Sequence, residues 1–157
     1  MTKIHGPALE RLAEFRFQIR RFLKFSNRAA RAAGLDPQQH QMLLVIAGTS
    51  KGEAASISHL ANRMHLHHNT AVELVNRLES KKLARRVPSH KDRRQVGVSI
   101  SPRGRQVLAK LTRHHLAELR AEGPALIRSL QAVIGRNPRG GAASGQTYRA
   151  SGRSFAK

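Results

Sequence analysis

The sequence of 157 residues has no cysteine, no tryptophan and few aromatic side chains, which make up 4% of the chain. Without cysteine there can be no disulfide framework, thiolate nucleophile, cysteine-ligated metal site or cysteine redox sensor. No apolar run approaches the ~18 residues that a membrane span requires, and the amino end has no signal-peptide core. We therefore expect a soluble, cytoplasmic protein with no membrane partner.

Acidic residues are also scarce. The chain has 9 Asp and Glu against 29 Lys and Arg, which gives a formal net charge of +20 with neutral histidine. Such a charge favours a polyanionic partner, and it favours a nucleic acid over a membrane surface. The end of the chain, from Asn137 to Lys157, is rich in Gly, Ser, Ala and Arg and has no apolar period. We interpret residues 136–157 as a disordered basic tail.

Apolar spacing predicts helices in the amino-terminal part of the chain. Between Pro7 and Ala33, apolar residues recur at steps of three and four, as they do on one face of a helix. Gly34 predicts the end of this helix, and Asp36-Pro37 predicts the start of a short second helix that ends near Gly48.

Two further helices follow at close spacing. Ser56 is a good N-cap for a helix that continues to Met64. Another begins near His68 and ends at Lys81 or Lys82, and the short stretch His65–His67 lies between them. Two short helices joined by a tight turn predict a helix-turn-helix.

After these helices the apolar period changes from about 3.6 to 2. Arg85–Val87 predicts one strand and Val96–Ile100 a second, joined by the polar loop Pro88–Arg94. A strand, loop and strand placed directly after a helix-turn-helix predict a wing.

The carboxyl-terminal part returns to a helical period. Ser101-Pro102 predicts the start of a long helix, and Gly123-Pro124 is predicted to break it and leave a separate last helix up to Ile134. The predicted class is mainly α with a small β-wing, in the order α-α-α-α-β-β-α-α.

At several positions the sequence resembles the MarR (multiple antibiotic resistance regulator) family of winged helix-turn-helix proteins. The resemblance covers about Leu9 to Ile134. It is carried by Leu60-Ala61, Asn69–Val72, Leu74–Glu79, Arg86, Asp92–Arg94 and Ile100–Gly104. Their joint order and spacing are more specific than any one of them.

The resemblance implies a homodimeric transcriptional regulator, most simply a repressor, that binds palindromic double-stranded DNA. It also implies release by a small aromatic or anionic effector that binds between the first, second and fifth helices. The corresponding regions are a dimerisation helix in residues 1–34, a DNA-binding region in 35–103, C-terminal dimerisation helices in 104–135 and the tail in 136–157. The sequence contains no enzyme motif and no cofactor motif, so we expect neither enzymatic activity nor a bound cofactor.

Candidate DNA-binding residues lie on the second helix of the helix-turn-helix and on the wing. Short polar side chains at the first turn of a recognition helix can meet base edges in the major groove, whereas a wing arginine can enter the minor groove. The resemblance favours Arg94 for that insertion and Asp92 for an ion pair that orders the wing. The candidates are His67, His68, Asn69, Thr70, Glu73, Arg77, Arg86, Lys91, Asp92, Arg93 and Arg94.

Two further sets of candidates follow from the resemblance. The proposed dimer contacts are Leu12, Phe15, Ile19, Phe22, Leu126 and Leu130. The side chains proposed to meet an anionic effector are Arg20, Arg21, His40 and Arg113.

Three residues depart from the family pattern. Lys82 stands where the family usually has glycine, just before the leucine that follows the recognition helix. Glu73 stands where many relatives have a basic or small polar residue, and Gly97 interrupts a wing strand that is usually more apolar.

Two alternatives remain open at this point. The first is an architectural protein that binds DNA without regard to sequence, which the high charge and the basic tail would also suit. The second is a metal-responsive regulator, since the chain has 9 histidines. No carboxylate in the sequence completes a tetrahedral site with either cluster, His65–His68 or His114-His115, so we do not expect a bound metal.

Overall fold

The computed structural model describes residues 6–49, 54–88 and 96–135. Its elements are α1 (Gly6–Ala32), α2 (Pro37–Gly48), β1 (Ala55–Ser56), α3 (Ile57–Met64), α4 (His68–Ser80), β2 (Ala84–Pro88), β3 (Val96–Ile100) and α5 (Pro102–Ile134). The predicted class, mainly helical with a small β-wing, is confirmed. The predicted disordered tail lies outside the described residues. Within the described ranges, no helix is both long enough and apolar enough to span a membrane.

The predicted break at Gly123-Pro124 is wrong, because α5 continues through it to Ile134. Proline at this position leaves the carbonyl group one turn earlier without its usual amide donor, which normally ends or kinks a helix. Contacts with α1 span the same turn: Glu122 pairs with Arg21 at 2.7 Å, and Gly123 and Leu126 lie beside Phe22. Packing against a second helix therefore outweighs the local preference.

The wing belongs to a three-stranded antiparallel sheet with the order β1-β3-β2. The strand β1 was not predicted, since a two-residue strand has no period to detect. It pairs Ala55 with Val98 and Ser56 with Gly97. A Cβ atom on Gly97 would clash with the Cβ atom of Ala54, so glycine at this position lets β1 approach β3.

The core lies mainly between α2, α3, α4 and the sheet. Met42, Leu43, Leu60, Val75, Leu78 and Val98 are fully buried there. The two long helices α1 and α5 pack along each other, and both contact α2. The helix α2 also contacts α4, which in turn contacts the wing strand β2.

Four helices end at a residue in the left-handed region. These residues are Gly34 after α1, His65 after α3, Lys82 after α4 and Gly135 after α5, with φ values of 75°, 52°, 58° and 71°. After α4, the Lys82 amide donates to the Glu79 carbonyl at 2.8 Å and the Leu83 amide to the Leu78 carbonyl at 2.9 Å. This is a Schellman motif, and Lys82 occupies the position that glycine favours.

The helix α5 begins against the end of α4. Ser101 caps α5, because its Oγ accepts a hydrogen bond from the Gly104 amide at 2.9 Å. The same hydroxyl donates to the Lys82 carbonyl at 2.8 Å, and the Ser101 amide donates to the Leu83 carbonyl at 3.0 Å. A Cβ atom on Gly104 would overlap the Leu83 carbonyl oxygen. The family-like stretch Ile100–Gly104 thus joins the last helix to the recognition helix.

Candidate nucleic-acid interface and effector groove

The helix α4 has one buried and one exposed face. Ala71, Leu74, Val75 and Leu78 are buried in the core. The opposite face is polar, and the predicted DNA-binding residues on it are all exposed: His67, His68, Asn69, Thr70, Glu73 and Arg77. The structure therefore brings these six candidates together on one surface.

The start of α4 is open to solvent. His67 is its N-cap residue, and its side chain makes no capping hydrogen bond. The Ala71 amide donates to the His67 carbonyl at 3.1 Å, which begins the helix. Glu73 forms no ion pair with Arg77, because the ion pairs of the described residues are Arg21 with Glu122 and Arg86 with Glu79. Both side chains thus remain available to a partner.

Arg86 lies on β2 but contacts α4. Its guanidinium group pairs with the Glu79 carboxylate and donates to Asn76 Oδ1 at 2.8 Å. Its backbone amide donates to Glu79 Oε1 at 2.9 Å. This residue, predicted to contact DNA, is occupied by protein groups, and Asn76 joins the exposed face of α4. The three- and four-residue steps from Asn69 through Glu73 to Asn76 are the sequence signal that marks this face.

Four predicted wing residues, Lys91, Asp92, Arg93 and Arg94, lie outside the described residues. The roles assigned to them, including minor-groove insertion by Arg94, remain predictions. The strands on either side are in register, with Pro88 opposite Val96 and Val87 opposite Gly97. Pro88 and Val96, the described residues nearest to this segment on either side, are thus paired across the two strands.

His40 and His115 lie together between α1, α2 and α5, with ring centroids 4.8 Å apart. His115 Nδ1 donates to the Leu111 carbonyl at 2.7 Å, and in the neutral ring Nε2 accepts from the Ser26 hydroxyl at 2.8 Å. His40 is 3% exposed and its Nε2 has no hydrogen-bond partner among the described residues. Burial lowers the pKa of His40 from its ordinary value, and the nearby His115 lowers it further.

An open groove of about 860 Å³ lies between α1 and α5. Its floor is apolar, with Phe25, Ala29, Ala32 and Ala117, and its edges carry Arg21, Lys24, Arg28, His114 and Glu118. Of the four predicted effector contacts only Arg21 lines this groove, and Arg21 is paired with Glu122. Arg20 and Arg113 are exposed elsewhere, and His40 is buried. Lys24 and Arg28 were not predicted, although their spacing from Arg21 places all three on one face of α1.

The predicted dimer contacts divide into two groups. Leu12 and Leu130 are exposed, at 45% and 42%. Phe15, Ile19, Phe22 and Leu126 are half-buried within the chain itself, and Phe22 makes an edge contact with the His115 ring at 6.1 Å. Further exposed apolar side chains on the same two helices were not predicted as dimer contacts: Leu9, Phe17, Leu23, Leu116, Leu119, Ile127, Val133 and Ile134.

Metal ligation has little support in the described part of the chain. No group of three or more His, Asp or Glu side chains there could hold a metal ion. His65 and His67 are exposed on either side of the turn, and His68 begins α4.

Comparison with known proteins finds a similar family. Residues 33–95, which extend from the end of α1 to the wing, match the model of the MarR family. This part of the chain is similar to MarR-family regulators. The resemblance found in the sequence is thereby confirmed, and the family and its structural neighbours are transcriptional regulators rather than enzymes.

One relative of this chain is a putative transcriptional regulatory protein for the hcr operon of Thauera aromatica. The two are 35% identical over 96 residues, which are 61% of this chain and 56% of that protein. The chain therefore matches little more than half the length of this relative.

Three solved structures share the fold. AbsC, a MarR family transcriptional regulator from Streptomyces coelicolor, has a TM-score of 0.70 at 18% identity, over 85% of this chain and 93% of that one. CouR from Rhodococcus jostii, bound to p-coumaroyl-CoA, has a TM-score of 0.58 at 22% identity, over 71% and 82%. A MepR variant from S. aureus, bound to an oligodeoxyribonucleotide, has a TM-score of 0.58 at 16% identity, over 77% and 93%.

Proposed function

We propose that this protein is a MarR-like homodimeric transcriptional repressor that binds palindromic double-stranded DNA and is released by a small aromatic or anionic effector. The observation that carries this proposal is the hydrogen bond from Arg86 to Asn76, because it places the first wing strand beside the exposed face of α4. A recognition helix and a wing on one surface can enter adjacent major and minor grooves. The MepR neighbour bound to an oligodeoxyribonucleotide supports the same use of the fold.

The exposed face of α4 has suitable chemistry for base contacts. Asn69 can pair with adenine through two hydrogen bonds, and the methyl group of Thr70 can contact that of thymine. Glu73 can accept from cytosine N4, and Arg77, more than two turns into the helix, suits a phosphate or a guanine. In this proposal Lys91, Arg93 and Arg94 supply the minor-groove contacts, and Asp92 orders them.

The exposed apolar side chains of α1 and α5 support a dimer. Leu116, Leu119, Ile127, Leu130 and Ile134 recur on α5 at helical spacing and are 38–57% exposed. A contiguous apolar stripe of this kind is costly in water and marks an association surface. A second copy with the same stripe covers it with two-fold symmetry, which in turn places two α4 helices about 10 bp apart on a palindrome.

The α1–α5 groove is the proposed effector site. Lys24 and Arg28 offer positive charge above an apolar floor that includes Phe25, so an anion with an aromatic or acyl part is the ligand class that fits. CouR, which has the same fold, is bound to p-coumaroyl-CoA. An aromatic acyl thioester is accordingly one member of the class to test first.

The decisive experiment is selection of preferred duplexes from random DNA, followed by affinity measurements on the selected and a scrambled duplex. A regulator should prefer its site by about 10³-fold or more. Asn69→Ala should lose about 10- to 100-fold of that preference, whereas Gln106→Ala on α5 should lose none. Equal affinity for both duplexes would support the architectural alternative, and affinity that a chelator removes would support the metal-responsive one.

Sedimentation of the same preparations tests the dimer. The wild type should sediment as a dimer and Leu130→Asp as a monomer, because the charge would lie in the apolar stripe. Leu44→Asp places the same substitution at an exposed leucine of α2 and should leave the dimer intact. A monomeric wild type would contradict the proposal. Arg28→Gln should weaken the response of DNA binding to an aromatic acyl thioester without changing binding in its absence.

A further inference from the structure

We propose that Glu79, Arg86 and Asn76 form a clamp that joins the wing to the recognition helix and turns the Asn76 NH₂ group towards DNA, so that Asn76 determines specificity and Arg86 acts by positioning it. The inference rests on the proposed function, since it assigns these residues within the same DNA-binding surface. It also reassigns Arg86, whose charge suggests a phosphate contact. The clamp is defined by these three side chains throughout.

Both terminal nitrogens of the Arg86 guanidinium group donate to protein groups. One side of its guanidinium group meets the Glu79 carboxylate and the other meets Asn76 Oδ1. The Arg86 side chain is 34% exposed and the Glu79 side chain 29% exposed, so the pair is partly shielded from water. An arginine neutralised by an adjacent carboxylate contributes little to counterion release, which depends on net positive charge placed at phosphates.

The clamp also supplies a hydrogen-bond acceptor for a backbone amide at the edge of the sheet. Because the strand order is β1-β3-β2, β2 has one edge without a neighbouring strand. The Arg86 amide on β2 finds its acceptor in Glu79 Oε1 at 2.9 Å. One carboxylate on α4 therefore binds both the backbone and the side chain of the same wing residue, which fixes the position of β2 relative to the helix.

The hydrogen bond from Arg86 determines the orientation of the Asn76 side-chain amide. A guanidinium group can only donate, so the atom facing Arg86 must be the amide oxygen, and the NH₂ group points away from it. Asn76 is exposed and lies on the same face of α4 as Asn69 and Glu73. Because its oxygen is held towards Arg86, Asn76 is not oriented for the two-bond pair with adenine and turns its NH₂ donors outward. Guanine N7 or O6 and thymine O4 are the base acceptors that suit it.

Glu79→Met tests whether Arg86 contacts phosphate or positions Asn76, because the two roles predict opposite changes in DNA affinity. If Arg86 contacts phosphate, removing the competing carboxylate frees the guanidinium and tightens binding to every duplex. If the clamp operates, Glu79→Met instead weakens binding to the selected duplex by about 10-fold, relaxes the base preference opposite Asn76 and allows adenine there. Arg86→Met should do the same, and Asn76→Ala should remove the preference at that base pair alone.

Salt dependence provides the second criterion. A lost phosphate contact lowers the slope of log affinity against log salt by about 0.9 per protomer. We expect Arg86→Met to leave this slope unchanged. Arg85→Met, which removes the same charge from the neighbouring exposed residue of β2, is the matched control for the loss of a free cation. A lower slope for Arg86→Met, together with tighter binding by Glu79→Met, would overturn the proposal.

Hydrogen exchange without DNA distinguishes failure of the clamp from failure of the proposed function. The Arg86 amide should exchange about 10-fold faster in Glu79→Met than in the wild type, because its acceptor is gone. An unchanged exchange rate would overturn the clamp even if the wild type binds a palindrome. Faster exchange in a protein that prefers no duplex would refute the proposed function and with it the role of Asn76 in specificity.

Discussion

The ammonium group of Lys81 donates a hydrogen bond of 2.7 Å to the carbonyl oxygen of Gly34. A second bond, of 3.0 Å, reaches the buried Gln39 side chain, whose Oε1 also accepts from the Asp36 amide at 3.2 Å. Lys81 follows α4, whereas Gly34 and Gln39 lie at the end of α1 and in the first turn of α2. One side chain thus links the recognition helix to the helix that carries the proposed dimer surface.

We expect Lys81→Met to lower the free energy of unfolding by about 1 kcal/mol, since a hydrogen bond from a charged donor is partly screened at this exposed position. Equilibrium unfolding in urea would measure the change. Lys82→Met removes the same charge from the adjacent residue, which donates no such side-chain bond, and should change stability by less than half as much. Equal effects of the two substitutions would show that charge rather than the bond is responsible.

Lys82 itself lies in the left-handed region with φ of 58°. A side chain there costs about 1 kcal/mol relative to glycine, because the Cβ atom crowds the backbone. Lys82→Gly should therefore raise the free energy of unfolding by about 0.5–1 kcal/mol, which urea unfolding can detect. Lys82→Ala keeps the crowding and should give no such gain. A loss of stability in Lys82→Gly would contradict the backbone argument.

The two glycines of α5 should respond differently to alanine. At Gly104 an added methyl group would overlap the Leu83 carbonyl, so Gly104→Ala should cost about 2–3 kcal/mol by forcing α5 away from the end of α4. At Gly123 the same methyl group meets nothing within 4 Å apart from its chain neighbours, so helix propensity favours alanine by up to about 1 kcal/mol. The ring of Pro124 crowds a Cβ atom on the preceding helical residue and offsets part of that gain. Thermal unfolding of the two variants measures both. A loss in Gly123→Ala as large as that in Gly104→Ala would refute the assigned packing.

Local sequence patterns were sufficient for most of the fold. Apolar period and capping residues predicted α2, α3, α4, β2 and β3, since each is specified by contacts within a few residues. The error at Gly123-Pro124 has a different origin, because the groups that keep α5 continuous, including Arg21 and Phe22, lie about 100 residues earlier in the chain. Such long-range packing has no local signature.

The candidate site was predictable in its surface but not in its internal contacts. Helical spacing placed Asn69, Glu73 and Arg77 on one exposed face, and the structure agrees. Spacing cannot show that Arg86 turns from the wing to Glu79 and Asn76, since that depends on how β2 packs against α4. The same limit applies to the α1–α5 groove, whose cations Lys24 and Arg28 were overlooked in favour of His40.

The buried His40 makes stability depend on pH. The pKa of His40 in the folded chain lies below its ordinary value of about 6.5, because burial disfavours the charged ring and His115 on α5 adds to the effect. The groups from α1 that pack against the His40–His115 pair are Phe22, Phe25 and Ser26, which carry no charge. The unfolded chain accordingly binds a proton at a higher pH than the folded chain.

It follows that stability should fall as the pH decreases below about 6.5, by up to about 1.4 kcal/mol per pH unit for one proton, and should level off below the folded-state pKa. His40→Phe removes this titration and also the unpartnered Nε2, so it should be neutral or stabilising at pH 8 and increasingly stabilising towards pH 5.5. Urea unfolding at a series of pH values measures the difference between the two proteins. His59→Gln, at an exposed histidine of α3, should keep the wild-type pH dependence. If His40→Phe loses stability in parallel with the wild type over this range, another group is responsible for the acid sensitivity.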